Sequence, residues 1–170
     1  MSLFQSGFFS TSKVSVGQSL YGGIIYYIDS NYFYIVKESQ LGTGGNLFPC
    51  ASYNWIGTSS QIGTSAANTN IIKTACPSST VIIDCQAYSV TMDGILYDDW
   101  EVPSSGDLRA IYDNLVATGK SSFAWGTGLR TSSTSIGFAS IQYFSTAGVE
   151  IQSLNTSGNW RILPVRKQLR

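Results

Sequence analysis

The chain has 170 residues, with ten basic and ten acidic side chains and a formal net charge of zero at pH 7. This length favours one domain with a real core, and the balanced charge argues against a general nucleic-acid binder. There is no histidine, which counts against serine-histidine hydrolases, cysteine-histidine proteases and most zinc enzymes.

Aromatic residues make up 13% of the chain, which also contains 17 glycines. Such a composition is typical of a β-rich, loop-rich protein. It suits an adhesive surface, because tyrosine, serine and glycine make good contact residues, although an ordinary β protein with a polar surface accounts for it equally.

The first 12 residues have neither the basic nor the apolar region of a signal peptide, and no apolar run reaches membrane-spanning length. We therefore expect either a protein that is made in a cytoplasm, or a mature form to which a new initiator methionine has been added. The odd number of cysteines fits a disulfide framework poorly. Buried free thiols are favoured over a disulfide between Cys76 and Cys85.

Residues 1–17 show no clear period, and we interpret them as an arm that precedes a domain spanning 18–170. The clearest hairpin joins the apolar runs 24–28 and 32–37 through a turn at 29–31, with both faces covered. Residues 38–64 are expected to form a long irregular loop. A helix over 65–75 is predicted, with Ser65 as its N-cap. Its inward face is expected to hold Ala67, Ile71, Ile72 and Ala75.

The segment 81–83 is apolar and is predicted to be a strand or an extended piece. The most informative stretch follows. Pro103 disfavours helix at the residue before it, Ser104 is a good N-cap, and Asp107 stands where a carboxylate reaches back to the cap amide. The apolar period that follows predicts a helix over 105–117 that ends at Gly119.

The C-terminal part is predicted to be antiparallel. Residues 121–128 are expected to form a loop, and the region 121–135 to face outward together with 38–64. The pattern of apolar runs and turns predicts strands at 136–144, 149–154 and 160–165.

In order, these motifs resemble those of a C-type-lectin-like domain family that includes the C-terminal domain of the Legionella collagen-like adhesin. Uncharacterised surface proteins of Bacteroidetes and proteins of their phages resemble it too. The family pattern runs from a Gly-Gly-Ile hairpin through an Ile-Gly-Thr helix, two cysteines and an Asp-Trp motif to a second helix and a final strand. The matching segments here are 22–28, 62–69, Cys76, Cys85, 98–104, 107–108, 132–133 and 164–166.

The resemblance implies an α+β, C-type-lectin-like fold. Two helices, 65–75 and 105–117, would flank antiparallel strands, and the C-terminal strand would meet the 23–37 hairpin so that the N- and C-terminal strands are adjacent. Three departures stand out: Asp107 replaces a glutamate, Arg130 and Thr131 replace an aromatic pair, and Leu163 replaces an arginine.

The chemistries best known in such folds have no counterpart in this sequence. The residue triplets of calcium-dependent lectins are absent, as is the cysteine pair of formylglycine-generating enzymes. We therefore expect no catalytic residue, no metal site and no cofactor.

Asp98, Asp99 and Glu101 form an acidic cluster that can be read in two ways. The carboxylates can serve a metal site or acid-base hydrolysis of a glycan. Alternatively, Asp99 caps backbone amides or pairs with Arg166 or Arg109, which is the reading we favour. The residues expected to act structurally are Asp99, Trp100, Pro103, Ser104, Asp107 and Arg166.

Aromatic residues in the predicted loops are candidates for ligand binding, although they can equally be internal anchors. They are Tyr53, Trp55, Phe123 and Trp125. In the arm, the candidates for docking on another subunit are Phe4, Phe8 and Phe9. The basic residues near the C-terminus, which can bind an anionic glycan or form a solvated strand end with one ion pair, are Arg161, Arg166, Lys167 and Arg170.

These observations favour a non-enzymatic structural or adhesive protein of a phage particle, such as a capsid decoration, head fibre or tail-associated protein. Expected partners are other virion proteins, a second copy, and a host-surface glycan or protein, without nucleic acid or membrane. The expected location is the virion, assembled in the host cytoplasm. The alternatives are an extracellular or cell-surface bacterial adhesin, a carbohydrate-active enzyme that uses Asp98, Asp99 or Glu101, and an intracellular interaction module.

Overall fold

The computed structural model describes residues 13–42, 58–121, 123, 129–135, 138–144, 150–153 and 161–170. Over these residues the chain is a mixed α+β protein with three α-helices and curled, mainly antiparallel sheets. The strands are β1 (Ser19–Leu20), β2 (Gly23–Ile28), β3 (Tyr32–Val36), β4 (Leu41–Gly42), β5 (Val90–Met92), β6 (Ile95–Tyr97), β7 (Leu129–Ser135), β8 (Phe138–Phe144), β9 (Glu150–Ser153), β10 (Arg161–Ile162) and β11 (Val165–Leu169).

The first sheet has the strand order β1-β2-β3-β11. The predicted hairpin is confirmed, and its turn is held by Asp29, whose Oδ1 accepts hydrogen bonds from the amides of Asn31 and Tyr32. The expected meeting of the C-terminal strand with this hairpin is also confirmed, because β11 pairs antiparallel with β3. The predicted last strand at 160–165 is corrected. Strand β10 ends at Ile162, and a separate strand, β11, runs from Val165 to Leu169.

The second sheet has the order β4-β10-β7-β8-β9 and contains the predicted strands near 136–144 and 149–154. The outward-facing surface expected over 121–135 is partly wrong, since 129–135 is strand β7. Thr131 and Ser132 are fully buried within it. A polar strand is stable here because its groups find partners, as when the Ser132 amide donates to the carbonyl of Pro103 at 2.7 Å.

The helices are α1 (Ser65–Ala75), α2 (Thr80–Ala87) and α3 (Ser105–Ile111), so the expectation of two helices is corrected to three among the described residues. Helix α2 covers the segment that we predicted to be extended. It forms because Val81, Ile82 and Cys85 lie on one helical face, and all three are buried. Its apolar run is therefore part of a helix rather than a strand.

Helix α3 begins as predicted. Ser104 is the N-cap, and the reciprocal hydrogen bonds of a capping box with Asp107 are both present. The last predicted turns differ, because Tyr112–Val116 widens into π-helix geometry, with the amide of Ala117 donating to the carbonyl of Tyr112 at 2.9 Å. Gly119 ends the helix with a φ of +68°.

The core lies on both faces of the first sheet, as the two apolar strands predicted. Ile25 and Ile35 face one buried cluster, together with Trp100 and residues of α2. Tyr26 and Val36 face the other cluster, with residues of α3. This alternation is what period-two strands produce when helices cover both sides of a sheet.

The cysteines only partly match the expectation of free thiols. Cys85 is a buried free thiol, whereas Cys76 is disulfide-bonded. A disulfide between these two residues is therefore absent. Burial raises the pKa of the Cys85 thiol well above its ordinary value, so the thiol is protonated at neutral pH in the folded state.

Candidate functional site

A buried carboxylate organises one side of the site. Asp107 is fully buried, and it is held there because the capping box fixes it at the third position of α3. It accepts hydrogen bonds from the hydroxyls of Tyr26 and Ser65 and from the amides of Gly63 and Ser104. These donors belong to β2, to the entrance of α1 and to the entrance of α3, so one side chain joins three elements.

The inward face of α1 is polar, which corrects the predicted face. Ala67 and Ala75 are exposed, and of the four residues expected to point inward only Ile72 is fully buried. The Asn68 side chain instead bonds the backbone amide and carbonyl of Ser59 at 2.8 and 2.7 Å. The true buried set of α1 is Ser65, Asn68, Thr69 and Ile72.

The predicted N-cap of α1 is also corrected. The cap residue is Thr64, which makes no side-chain cap hydrogen bond among the described residues and instead donates to the carbonyl of Gln61 at 2.7 Å. Ser65 is the first helical residue, and its hydroxyl turns to Asp107. The first turn of α1 contains no acidic residue of its own, and the carboxylate at its entrance is that of Asp107.

Asp99 pairs with Arg166, which is one of the three structural roles that we expected for this carboxylate. The guanidinium nitrogens Nε and Nη2 of Arg166 contact the two carboxylate oxygens of Asp99, with 3.1 Å between Nη2 and Oδ2. The Arg166 side chain is only 5% exposed, whereas that of Asp99 is 54% exposed. Arg166 also lies over the ring of Tyr97, at 4.7 Å from its centroid. Asp99 therefore stabilises a nearly buried cation.

Between these features lies a cavity of about 360 Å³, bounded by β2, β3, β11, the entrance of α1 and the segment after β6. Its volume is at the small end of the range for ligand pockets. It reaches the surface, because Lys167 and Leu169 in its lining are exposed. The lining residues are Tyr26, Tyr32, Tyr34, Gly63, Ser65, Ala66, Asp99, Glu101, Val165, Arg166, Lys167, Gln168 and Leu169.

The tyrosines of this cavity form an ordered group. The ring centroid of Tyr34 lies 6.2 Å from that of Tyr26 and 6.2 Å from that of Tyr32. The Tyr34 hydroxyl donates to Oδ2 of Asp29 at 2.7 Å, which fixes its ring. Lys167 places its Nζ 4.9 Å from the centroid of Tyr32, at the exposed rim.

Glu101 is the unusual acid of the cavity. Its backbone forms an isolated antiparallel bridge with Val165, which places it beside β11. One carboxyl oxygen, Oε2, is buried and has no hydrogen-bond partner among the described residues. Burial raises the pKa of Glu101 to about 7; the nearby Asp99 charge adds to this, and hydrogen bonds with Thr69 and Gln86 oppose it. The side chain is therefore partly protonated at neutral pH.

Of the four predicted ligand-binding aromatics, only Phe123 is among the described residues. Tyr53, Trp55 and Trp125 lie outside the described residues, as do Phe4, Phe8 and Phe9. Phe123 is half-buried and packs against the core cluster that contains Tyr26 and Leu108. The cavity brings together Asp99, Glu101 and Arg166, which the sequence had singled out, but the motif residues Trp100, Pro103, Ser104 and Asp107 lie outside its lining.

The C-terminal basic residues do not form one free cationic patch in the structure. Arg166 pairs with Asp99, Arg161 donates to Gln40 at 3.1 Å, and Arg170 donates to the carbonyl of Asp29 at 2.7 Å. Of the two interpretations given above, these contacts agree with a strand end that has one structural ion pair.

The described residues contain no cluster of three or more potential metal ligands. No α-helix in the described part of the chain is long and apolar enough to cross a membrane. No protein-family model matches the sequence, and no curated protein matches it.

Proposed function

We propose that this chain is a non-enzymatic structural or adhesive protein of a phage particle, with a C-type-lectin-like fold and a host-surface glycan or protein as its ligand. The particle and the finer fold rest on the resemblance of the ordered motifs. The topology supports the fold proposal, because the C-terminal strand joins the N-terminal hairpin as that resemblance implies. The described residues alone give the coarser α+β description.

The binding role is supported by the contacts of two acidic residues of the Asp-Trp motif and the following helix, Asp99 and Asp107. Asp99 is paired with the nearly buried Arg166, and Asp107 joins three elements inside the protein. Both acids therefore stabilise the fold. What remains accessible beside them is a cavity with a tyrosine wall, which is suited to contact with a ligand.

Mass spectrometry of purified particles, compared with the host lysate, tests the virion proposal. We expect peptides of this chain to be enriched in particles that have been banded on a density gradient. Their absence from particles, with presence in the lysate, would contradict it and favour an intracellular interaction module.

We propose that the N-terminal arm, of which residues 1–12 lie outside the described residues, docks on a neighbouring virion subunit. Deleting residues 2–12 tests this. We expect a truncated protein that keeps its melting temperature but no longer joins particles. A melting temperature lowered by many degrees would mean that the arm belongs to the core.

One observation favours a second candidate, a carbohydrate-active enzyme. Asp99 and Glu101 line the same cavity, and the pKa of Glu101 is raised to about 7, as for a general acid. Release of reducing sugar from a glycan by the wild-type protein, lost in Glu101→Gln and in Asp99→Asn but kept in Asp98→Asn, would establish this candidate. We expect no such release.

A further inference from the structure

The cavity beside β11 has a lining whose charges balance. It contains two acidic side chains, Asp99 and Glu101, and two basic ones, Arg166 and Lys167. Asp99 and Arg166 are bonded to one another and neutralise each other, which leaves Glu101 and Lys167 as the other acid and the other base of the lining. A strongly charged ligand would meet a like charge on one side of so small a cavity, whereas a neutral polar ligand would not.

The same lining offers both donors and acceptors of hydrogen bonds. Asp99 offers acceptor oxygens, because its side chain lines the cavity and is 54% exposed. Lys167 provides an ammonium at the rim, and Ser65 and Ala66 belong to the first turn of α1, whose amides have no intrahelical partner. A hydroxyl group both donates and accepts, so a ligand with several hydroxyls can use all of these groups.

Aromatic surface completes the arrangement. Tyr32, Tyr34 and Tyr26 form one wall, and Tyr32 is only half-buried. The face of a pyranose ring that carries axial hydrogens is apolar and packs on such rings, while its hydroxyls point sideways. The volume of about 360 Å³ limits the occupant to a small unit, such as the end of a glycan chain.

We propose that this cavity binds one neutral sugar unit, stacked near Tyr32 and hydrogen-bonded by Asp99, Lys167 and the first turn of α1. This inference rests on the proposed adhesive function and gives it a ligand class and a place. It differs from the expectation that the loop aromatics bind the ligand, because the cavity lies on the sheet formed by the hairpin and the C-terminal strand.

Nuclear magnetic resonance titration of the full chain at pH 7 tests the proposal. The probes are the methyl glycosides of glucose, galactose, mannose, fucose and N-acetylglucosamine, with glucuronic acid and N-acetylneuraminic acid as acidic comparisons. We expect at least one neutral sugar to saturate and to shift the amide signals of Ala66 and Lys167, while that of Gly94 stays in place.

Two variants and two matched controls locate the site. Tyr32→Ala and Lys167→Gln should each weaken binding by about tenfold. Tyr112→Ala and Lys120→Gln, which alter the same residue types away from the cavity, should leave the affinity unchanged. Lys167 is exposed, so its variant is informative even where Tyr32→Ala reduces stability.

The outcomes separate this inference from the proposed function. No shift with any neutral sugar, tighter binding of an acidic sugar, or equal affinity in all four variants would overturn the sugar site and leave the virion proposal standing. Sugar binding by a protein that is absent from particles would keep the sugar site and overturn the virion proposal. Cleavage of a bound glycan would keep the site and overturn the non-enzymatic role.

Discussion

The hydroxyl of Tyr26 donates to Oδ1 of Asp107 across 81 residues of sequence, with 2.8 Å between the two oxygens. This hydrogen bond joins β2 to the start of α3. Tyr26 both lines the cavity and belongs to the core cluster that contains the residues of α3. Helix capping and the shape of the candidate site are therefore coupled through one carboxylate.

Replacing Asp107 by asparagine should be strongly destabilising. An amide retains one acceptor oxygen and places an NH2 group among the donors of Tyr26, Ser65 and Ser104, which cannot all be satisfied in a fully buried site. We expect a loss of about 2–4 kcal/mol in the free energy of unfolding, measured by urea denaturation.

Asp113 provides the control on the adjoining π-helical turn. It pairs with Arg109 at 2.8 Å, and both side chains are 47% exposed. Asp113→Asn should therefore cost less than about 0.5 kcal/mol. Equal losses in the two variants would contradict the central role of Asp107.

Asp99→Asn should destabilise the protein because it removes the charge that compensates the nearly buried Arg166 guanidinium. Water can approach Asp99, which is half exposed, so we expect a moderate loss of about 1–3 kcal/mol. The neighbouring residue Asp98 is exposed, and Asp98→Asn should leave the urea midpoint unchanged. A larger effect at Asp98 than at Asp99 would be inconsistent with the structural pair.

Glu101 should make stability fall as the pH rises. Its pKa is about 7 in the folded protein against an ordinary value of 4.5, so between these values the folded state holds a proton that the unfolded state has lost. The contribution is complete below about pH 4.5 and disappears as the pH passes 7. We expect wild type to lose stability relative to Glu101→Gln between pH 5 and pH 8 in urea unfolding. Parallel curves for the two proteins would show that Glu101 titrates normally.

Gly63→Ala should reduce the cavity and lower stability. Gly63 has a φ of +79°, and a Cβ added there would lie 2.7 Å from the Tyr34 ring. Gly94 has a nearly identical φ of +78° with nothing within 4 Å of such an atom, so Gly94→Ala carries the same backbone strain without the clash. We expect thermal denaturation to show an extra loss of about 1–3 kcal/mol at Gly63. Equal losses would place Tyr34 further from Gly63 than the structure has it.

The cysteines should differ in reactivity. Cys85 is a buried free thiol with a raised pKa, so iodoacetamide at pH 7.5 should label it slowly in the folded protein and quickly in urea. Cys76, which is disulfide-bonded, should be labelled only after reduction. Peptide mapping by mass spectrometry distinguishes the two. Labelling of Cys76 in urea without reductant would contradict the disulfide.

Local signals allowed part of this fold to be predicted from the sequence. The hairpin follows from two apolar runs around an Asp-Ser-Asn turn, and the start of α3 follows from Pro103, Ser104 and Asp107. The inward face of α1 was missed because Asn68 and Thr69 are polar, and only their distant partners make burial favourable. Strand β7 was missed for the same reason, since Thr131 and Ser132 do not resemble core residues.

The cavity could not be predicted by reading the chain locally. Its walls come from β2 and β3, from residues 63–66, from 99–101 and from β11, which only the tertiary fold brings together. Asp99, Glu101 and Arg166 were recognisable as chemically interesting residues. Their division into an ion pair and a separate buried acid depends on which side chain is desolvated, which no local pattern specifies.

Immunoelectron microscopy of intact phage particles, using antibodies raised against this chain, tests the central claim most directly, because an adhesive virion protein must be both present on the particle and accessible. We predict gold label at a fixed position on the outer surface of unbroken particles. Particles without label, prepared from a lysate in which the same antibodies detect the protein, would contradict the account.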